Sequence, residues 1–146
     1  MDKIDSKLIE LLQENARIPI TELSKKLHLN RTSIKSRIDK LSEKGVIEGF
    51  TTNVSLKAVG KILLFVELSQ LKKPIDEVLD ILAQNEEIIE IHILTGPTDI
   101  LFKLATRDLE SAFSFLKELN PFSTALTSTV LYSHLDYRPI KPRNSN

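Results

Sequence analysis

The sequence predicts an α+β chain in two parts: three short helices, then a strand–helix–strand–strand–helix–strand run. Three observations carry that expectation. Up to Gly45 the apolar residues recur at three- and four-residue spacing, the mark of helices with one buried face. From Lys61 onward, β-rich apolar segments alternate with helical stripes. Between them, "NVSLKAVG" (53–60) follows neither rhythm and reads as a linker. The expected division is therefore 1–52, a linker over 53–60, a second domain over 61–135 and a polar, Pro-containing tail over 136–146 that is loosely held.

The elements follow in order. Asp2 or Asp5 suits the N-terminal dipole of a first helix whose Ile4, Leu8, Leu11 and Leu12 form one stripe, running to about Asn15. Pro19 keeps Ile18 out of helical geometry. A second helix is expected to start near Thr21 as N-cap, with Leu23 and Leu27 inward, and to stop around His28. A sharp return there requires positive φ at His28 or a neighbour. Asn30 caps a third helix with Ile34, Ile38 and Leu41 buried, and Gly45 fits the position just beyond its end. "VIEGFTTNV" then reads as two short β segments with a bend near Gly49, a small wing. Two helices joined by the very short "HLN" turn have helix-turn-helix geometry, so 1–52 reads as a winged helix-turn-helix.

The second part begins with the strand "KILLFVELS" (61–69). Pro74 opens a helix with Ile75, Val78, Leu79 and Leu82 inward. "IIEIHILT" (88–95) and "ILFKLAT" (100–106) are strands joined by the "GPTD" turn. Asp108 caps a helix with Leu109, Phe113 and Leu116 inward, and "STALTSTVLYSHL" (123–135) supplies the last strand. This order is that of a ferredoxin-like βαββαβ domain, one antiparallel sheet with both helices on one face. The other face, apolar through Leu64, Val66, Ile91 and Ile93 or their alternates, is then uncovered. An uncovered apolar face predicts a partner, most simply a second copy about a twofold axis.

Composition sets the outer limits. Charged residues at 27% and hydrophobic ones at 41% give an ordinary globular balance over 146 residues. No apolar run approaches the ~18 residues of a membrane span, so no membrane partner is expected. "MDKIDSK" has no apolar signal core behind it, so no export is expected. The absence of cysteine excludes disulfides, thiolate chemistry and Cys-based zinc sites and is compatible with the cytoplasm. Net charge is zero, but residues 17–44 hold eight basic against three acidic side chains, net +5. A basic patch on a neutral chain can meet phosphate, although such charge is also common on ordinary surfaces.

Several stretches in register resemble the Lrp/AsnC family of transcriptional regulators. "IDSKLIELLQENARIPITELSKKL" is similar to the family's opening. "NRTSIKSRIDKLSEKGVIEGF" is similar to its recognition helix and wing, and "TGPTD" to its effector-domain turn. The likeness covers about 1–135. Two positions depart from it: His28 stands where the family's turn has Gly, and Pro97–Thr98 stands where an aromatic residue often precedes the Asp.

The resemblance implies that Arg31, Thr32, Ser33, Lys35, Ser36, Arg37 and Lys40 face double-stranded DNA. The short hydroxyls suit base edges, and the long cations suit phosphate or guanine. Arg37 flanks the buried stripe and has a second expected role, tying helices together through Asp5. The resemblance also implies an effector, commonly an amino acid, at Thr95, Gly96, Pro97, Thr98 and Asp99. Such a turn exposes backbone N–H groups for a carboxylate, and Asp99 can accept from an α-ammonium. The competing reading is that Gly96 and Asp99 only build the hairpin connection. A homodimer assembling to a tetramer or octamer is implied as well.

No catalytic residue, metal site or cofactor is expected. Three other readings stand beside the regulator. One is a haem-precursor decarboxylase, an activity of a small clade resembling this architecture. The others are an effector-independent DNA-binding regulator and a pure assembly protein. His92 and His134 are the only acid–base histidines of the second part, and both are expected to be ordinary strand residues.

Overall fold

A computed structural model describes residues 1–142 in two compact units. One comprises Met1–Asn53 with the chain from Leu135 onward, and the other Val54–His134. The last four residues of the expected tail, 143–146, lie outside the described residues.

In the helical unit, α1 (Lys3–Glu14) opens on a reciprocal cap: the Asp2 carboxylate accepts from the Asp5 N–H at 2.7 Å, and the Asp5 carboxylate accepts from the Asp2 N–H at 3.1 Å. Asn15 ends the helix, and its side chain accepts from the Arg17 N–H at 2.9 Å, turning the chain. α2 (Ile20–Leu27) starts one residue before the expected Thr21 cap. Pro19 takes the N-cap position with no side-chain bond, and its carbonyl accepts from the Glu22 and Leu23 N–H groups. α3 (Arg31–Glu43) is capped by Asn30, whose Oδ1 accepts from the Ser33 N–H at 2.7 Å. It ends as expected on Gly45 at φ +66°. Bonds from the Val46 N–H to the Leu41 carbonyl and from the Gly45 N–H to the Ser42 carbonyl close the last turn. Leu8, Ile9, Leu11, Leu12, Leu23, Ile34 and Leu41 form the core.

The expected wing strands do not form. Residues 46–54 carry no strand, and Val46, Phe50 and Val54 are exposed. A two-stranded ribbon this short needs a third strand or a well-packed face to be stable, and Ile47 alone of this segment's apolar residues packs against the helical core.

In the sheet unit, β1 (Ile62–Ser69), β2 (Ile88–Ile93), β3 (Ile100–Thr106) and β4 (Thr124–Thr129) form one antiparallel sheet in the order β2-β3-β1-β4. That is the expected ferredoxin-like order. Helices α4 (Ile75–Ala83) and α5 (Leu109–Leu119) cover one face. Leu64, Val66, Leu68, Ile100, Phe102 and Leu104 meet Val78, Leu82, Ala112, Leu116 and Leu119 there.

The register decides which alternates are uncovered. Leu64 and Val66 face the helices, so the open face carries Leu63, Phe65 and Glu67 of β1, paired with Ala105, Lys103 and Leu101 of β3. Ile91 packs against the helix-side core, and Ile93 is exposed at the edge.

Two further expectations fail. Leu109 and Phe113 of α5 are exposed, because the helix buries Ala112, Leu116 and Leu119 instead, with Phe115 edge-on to Phe102. The last strand stops at Thr129, leaving Leu131 and Tyr132 in solvent and His134 outside any strand. No helix among the described residues is long and apolar enough to cross a membrane.

Candidate nucleic-acid interface and effector turn

The turn between α2 and α3 is built by three residues. His28 sits in the left-handed region at φ 53°, ψ 40°, and its N–H donates to the Ser24 carbonyl. The Leu29 N–H donates to the same carbonyl, and the Ser24 hydroxyl donates back to the Leu29 carbonyl. Ser24 was not singled out from the sequence. Its position one turn before the reversal is the signal that marks it.

Asn30 then fixes the start of α3, and Ile34 and Leu41 pin its buried side. This leaves Arg31, Thr32, Lys35, Ser36 and Lys40 exposed and Ser33 and Arg37 half-buried. Thr32, Ser33, Ser36, Arg37 and Lys40 share an open concavity of about 480 Å³ with Asp5, Leu29, Leu41 and Lys44. Arg31 and Lys35 lie outside its lining. Lys44 was missed, although Ser36, Lys40 and Lys44 form one row at four-residue spacing.

Arg37 stands apart. Its Nη1 lies 2.6 Å from Asp5 Oδ1 and 2.7 Å from Asp2 Oδ2, tying α3 to the start of α1. The Asp5 backbone N–H, and then the guanidinium, hold the Asp2 carboxyl below its usual range. The carboxylates of Asp2 and then Asp5 raise Arg37 further. With two carboxylates against one guanidinium, this cluster presents no surplus positive charge. Its clear structural role is to hold the exposed face of α3 at a fixed angle to α1.

The turn 95–99 joins β2 to β3 in the sheet unit. Gly96 at φ +113° needs the freedom of glycine. The Leu94 N–H donates to the Asp99 carbonyl, and the Asp99 N–H to the Leu68 carbonyl, each at 2.9 Å, which fastens the turn to the end of β1. The Asp99 backbone therefore does the hairpin-building. Thr98 Oγ1 donates to Glu67 Oε2 at 2.9 Å, bringing a second carboxylate beside the turn. Thr95, Gly96 and Pro97 are exposed, and Thr98 and Asp99 are half-buried. Glu67 was also missed. It is the one charge in "ILLFVELS", and that isolation is its signal.

His92 belongs to an exposed surface group. Its Nε2 lies 3.1 Å from Glu90 Oε2, and Lys103 Nζ lies 2.8 Å from Glu90 Oε1. Lys103, and then His92, keep the Glu90 carboxyl below its usual range.

A helix-turn-helix unit with a cation-lined helix, joined to a separate four-stranded sheet unit, is the architecture of a two-part regulator. Comparison with known proteins specifies it. Residues 1–42 match the family model of the AsnC-type helix-turn-helix domain, and residues 61–140 that of the Lrp/AsnC ligand binding domain. The chain is 37% identical over 117 residues to the HTH-type transcriptional regulator FL11 of Pyrococcus furiosus, covering 80% of this chain and 78% of that one. AsnC of E. coli superposes with a TM-score of 0.84 at 28% identity, covering 97% of this chain and 99% of that one. A Neisseria meningitidis transcriptional regulator solved as a complex with L-Met shares the fold, with a TM-score of 0.87 at 23% identity over 96% of each chain. The chain belongs to the Lrp/AsnC family of transcriptional regulators. The relatives it matches over four-fifths of its length are themselves HTH-type transcriptional regulators.

Proposed function

We propose that the chain binds double-stranded DNA sequence-specifically through α3 and regulates transcription by occupying its site in the cytoplasm. The observation that carries this is the row Thr32, Ser36, Lys40 and Lys44, whose hydroxyls and ammonium groups line one concavity beside the capped start of the helix. A recognition helix presents its first turns to base edges while flanking cations hold phosphate. Thr32, Ser33 and Ser36 take the base-edge role. Arg31, Lys35 and Lys40 take phosphate or guanine. Arg37 positions the helix and contacts DNA only secondarily, since its charge is already matched. Lys35→Ala combined with Lys40→Ala is expected to weaken binding and to reduce the slope of log affinity against log salt by about 1–2. An unchanged slope removes the phosphate contacts.

The partner chemistry extends to a dimer, and from it a tetramer or octamer, with half-sites ~34 Å apart, one helical turn. It also extends to an amino-acid effector at Thr95, Gly96, Pro97, Thr98 and Asp99. The exposed turn offers backbone N–H groups to a carboxylate, and Asp99 and Glu67 offer acceptors to an ammonium. The L-Met bound by the Neisseria relative supports this class of ligand. Titration calorimetry with each of the standard amino acids is expected to show binding that Asp99→Ala abolishes. Silence across the set leaves an effector-independent regulator.

A further inference from the structure

The described part of the C-terminal tail, up to residue 142, is tied to α1. Gln13, half-buried in the last turn of α1, spends its whole carboxamide on it. Gln13 Oε1 accepts from the Ile140 N–H at 2.8 Å and from the Tyr137 hydroxyl at 3.1 Å, and Nε2 donates to the Ile140 carbonyl at 2.8 Å. One side chain thus grips both backbone groups of a single residue, as a neighbouring strand would. The segment it grips, "PIKP" (139–142), has proline at both ends. Proline fixes φ, so the segment loses less conformational freedom on docking than an ordinary tail. Tyr137, Ile140 and Pro142 also help line an apolar concavity of about 560 Å³ with Leu12, Val46 and Phe50.

The chain's course gives the contact a consequence. It leaves the helical unit after Asn53 and re-enters it at Leu135, so the sheet unit is an insertion joined to the helical unit at both ends. A single flexible linker over 53–60 would leave the helical unit a wide range of orientations. A second attachment closes a loop and removes much of that range.

We propose that Gln13 and residues 137–142 form an internal latch that sets which half-site spacing the regulator accepts. Gln13 acts as a positioning residue for DNA recognition without touching DNA. This rests on the half-site reading above, because spacing selectivity requires two helical units on one duplex.

The test uses the full-length chain and Gln13→Ala, on operator half-sites first selected from random DNA. Affinity is measured on a single half-site, on two half-sites one turn apart, and on two separated by about five further base pairs, half a helical turn. The wild-type chain is expected to lose about tenfold or more on the altered spacing, and Gln13→Ala about threefold or less, with single-half-site affinity alike in both. Gln13→Glu, which keeps the acceptor and loses the donor, is expected to fall between. In parallel, 15N relaxation of the Ile140 amide is expected to show rigid backbone in the wild type and release in Gln13→Ala. The latch is overturned if that amide is already as mobile as a free terminus in the wild type, or if Gln13→Ala keeps the wild-type spacing profile. A full-length chain that binds no DNA strikes the half-site reading and the spacing role with it, while the Ile140 amide still reports separately whether the latch forms.

Discussion

His28 shows how one backbone angle sets the geometry of an interface. At φ 53° and ψ 40° it reverses the chain between α2 and α3, and Ser24 locks the reversal through Leu29. An L-residue in this region costs roughly 1–2 kcal/mol relative to the right-handed conformation. Glycine would relieve that strain but enlarge the unfolded ensemble, returning about 0.4–1 kcal/mol. His28→Gly is therefore expected to be neutral to stabilising by up to about 1.5 kcal/mol. His28→Val, β-branched and intolerant of positive φ, is expected to destabilise by about 1–2 kcal/mol. Denaturant titration monitored by helical circular dichroism reads both. A His28→Gly chain clearly less stable than wild type would mean that the exposed imidazole makes a contact worth more than the strain.

At the scale of elements, what could be read from the sequence followed from local chemistry. Asn30, Gly45 and Asp108 declare helix ends because each provides a specific orphan-satisfying bond or φ, and all three do so in the structure. The strand order followed from element order alone. The errors fall where two patterns compete or where pairing is non-local. Leu109/Phe113/Leu116 and Ala112/Leu116/Leu119 are both helical stripes in α5, and only the sheet beneath chooses between them. "VIEGFTTNV" has strand composition but lacks a neighbour to pair with, so composition overstates it. Arg37 was legible as a tie to Asp5, since it flanks the buried stripe. The second carboxylate, Asp2, needed the geometry, because nothing in local spacing places a helix cap beside residue 37. Gln13 was invisible for the same reason: its partner Ile140 lies 127 residues away.

At the scale of the molecule, two separate cores divide the labour. The Leu8–Leu23–Ile34 cluster sets the angle of α3, and the Val66–Phe102–Leu116 cluster holds the sheet. The sheet leaves one face open, and a second copy of the chain is the partner proposed for it. Phe65 pairs with Lys103, whose Nζ lies 5.7 Å from the ring centroid, and Glu67 pairs with Leu101 on one side and Leu126 on the other. Leu126 is 63% exposed, a large apolar side chain at the outer strand with nothing over it. A twofold-related copy would cover this face, matching apolar centre to apolar centre, with Glu67, Glu90, His92 and Lys103 available for cross-pairing. Stable dimers bury about 800 Å² per partner, an area of the order that one face of a four-stranded sheet can offer. Leu126→Glu would place a second carboxylate opposite Glu67 in that centre while leaving the fold of the single chain intact, since the side chain is exposed there. The expected result is a dimer weakened at least tenfold, about 1.4 kcal/mol, by sedimentation velocity, with unchanged far-ultraviolet circular dichroism. Affinity for paired half-sites should fall in step, while a single half-site binds as before. An unaltered sedimentation profile would assign dimerisation to another surface and leave the open sheet face without a partner.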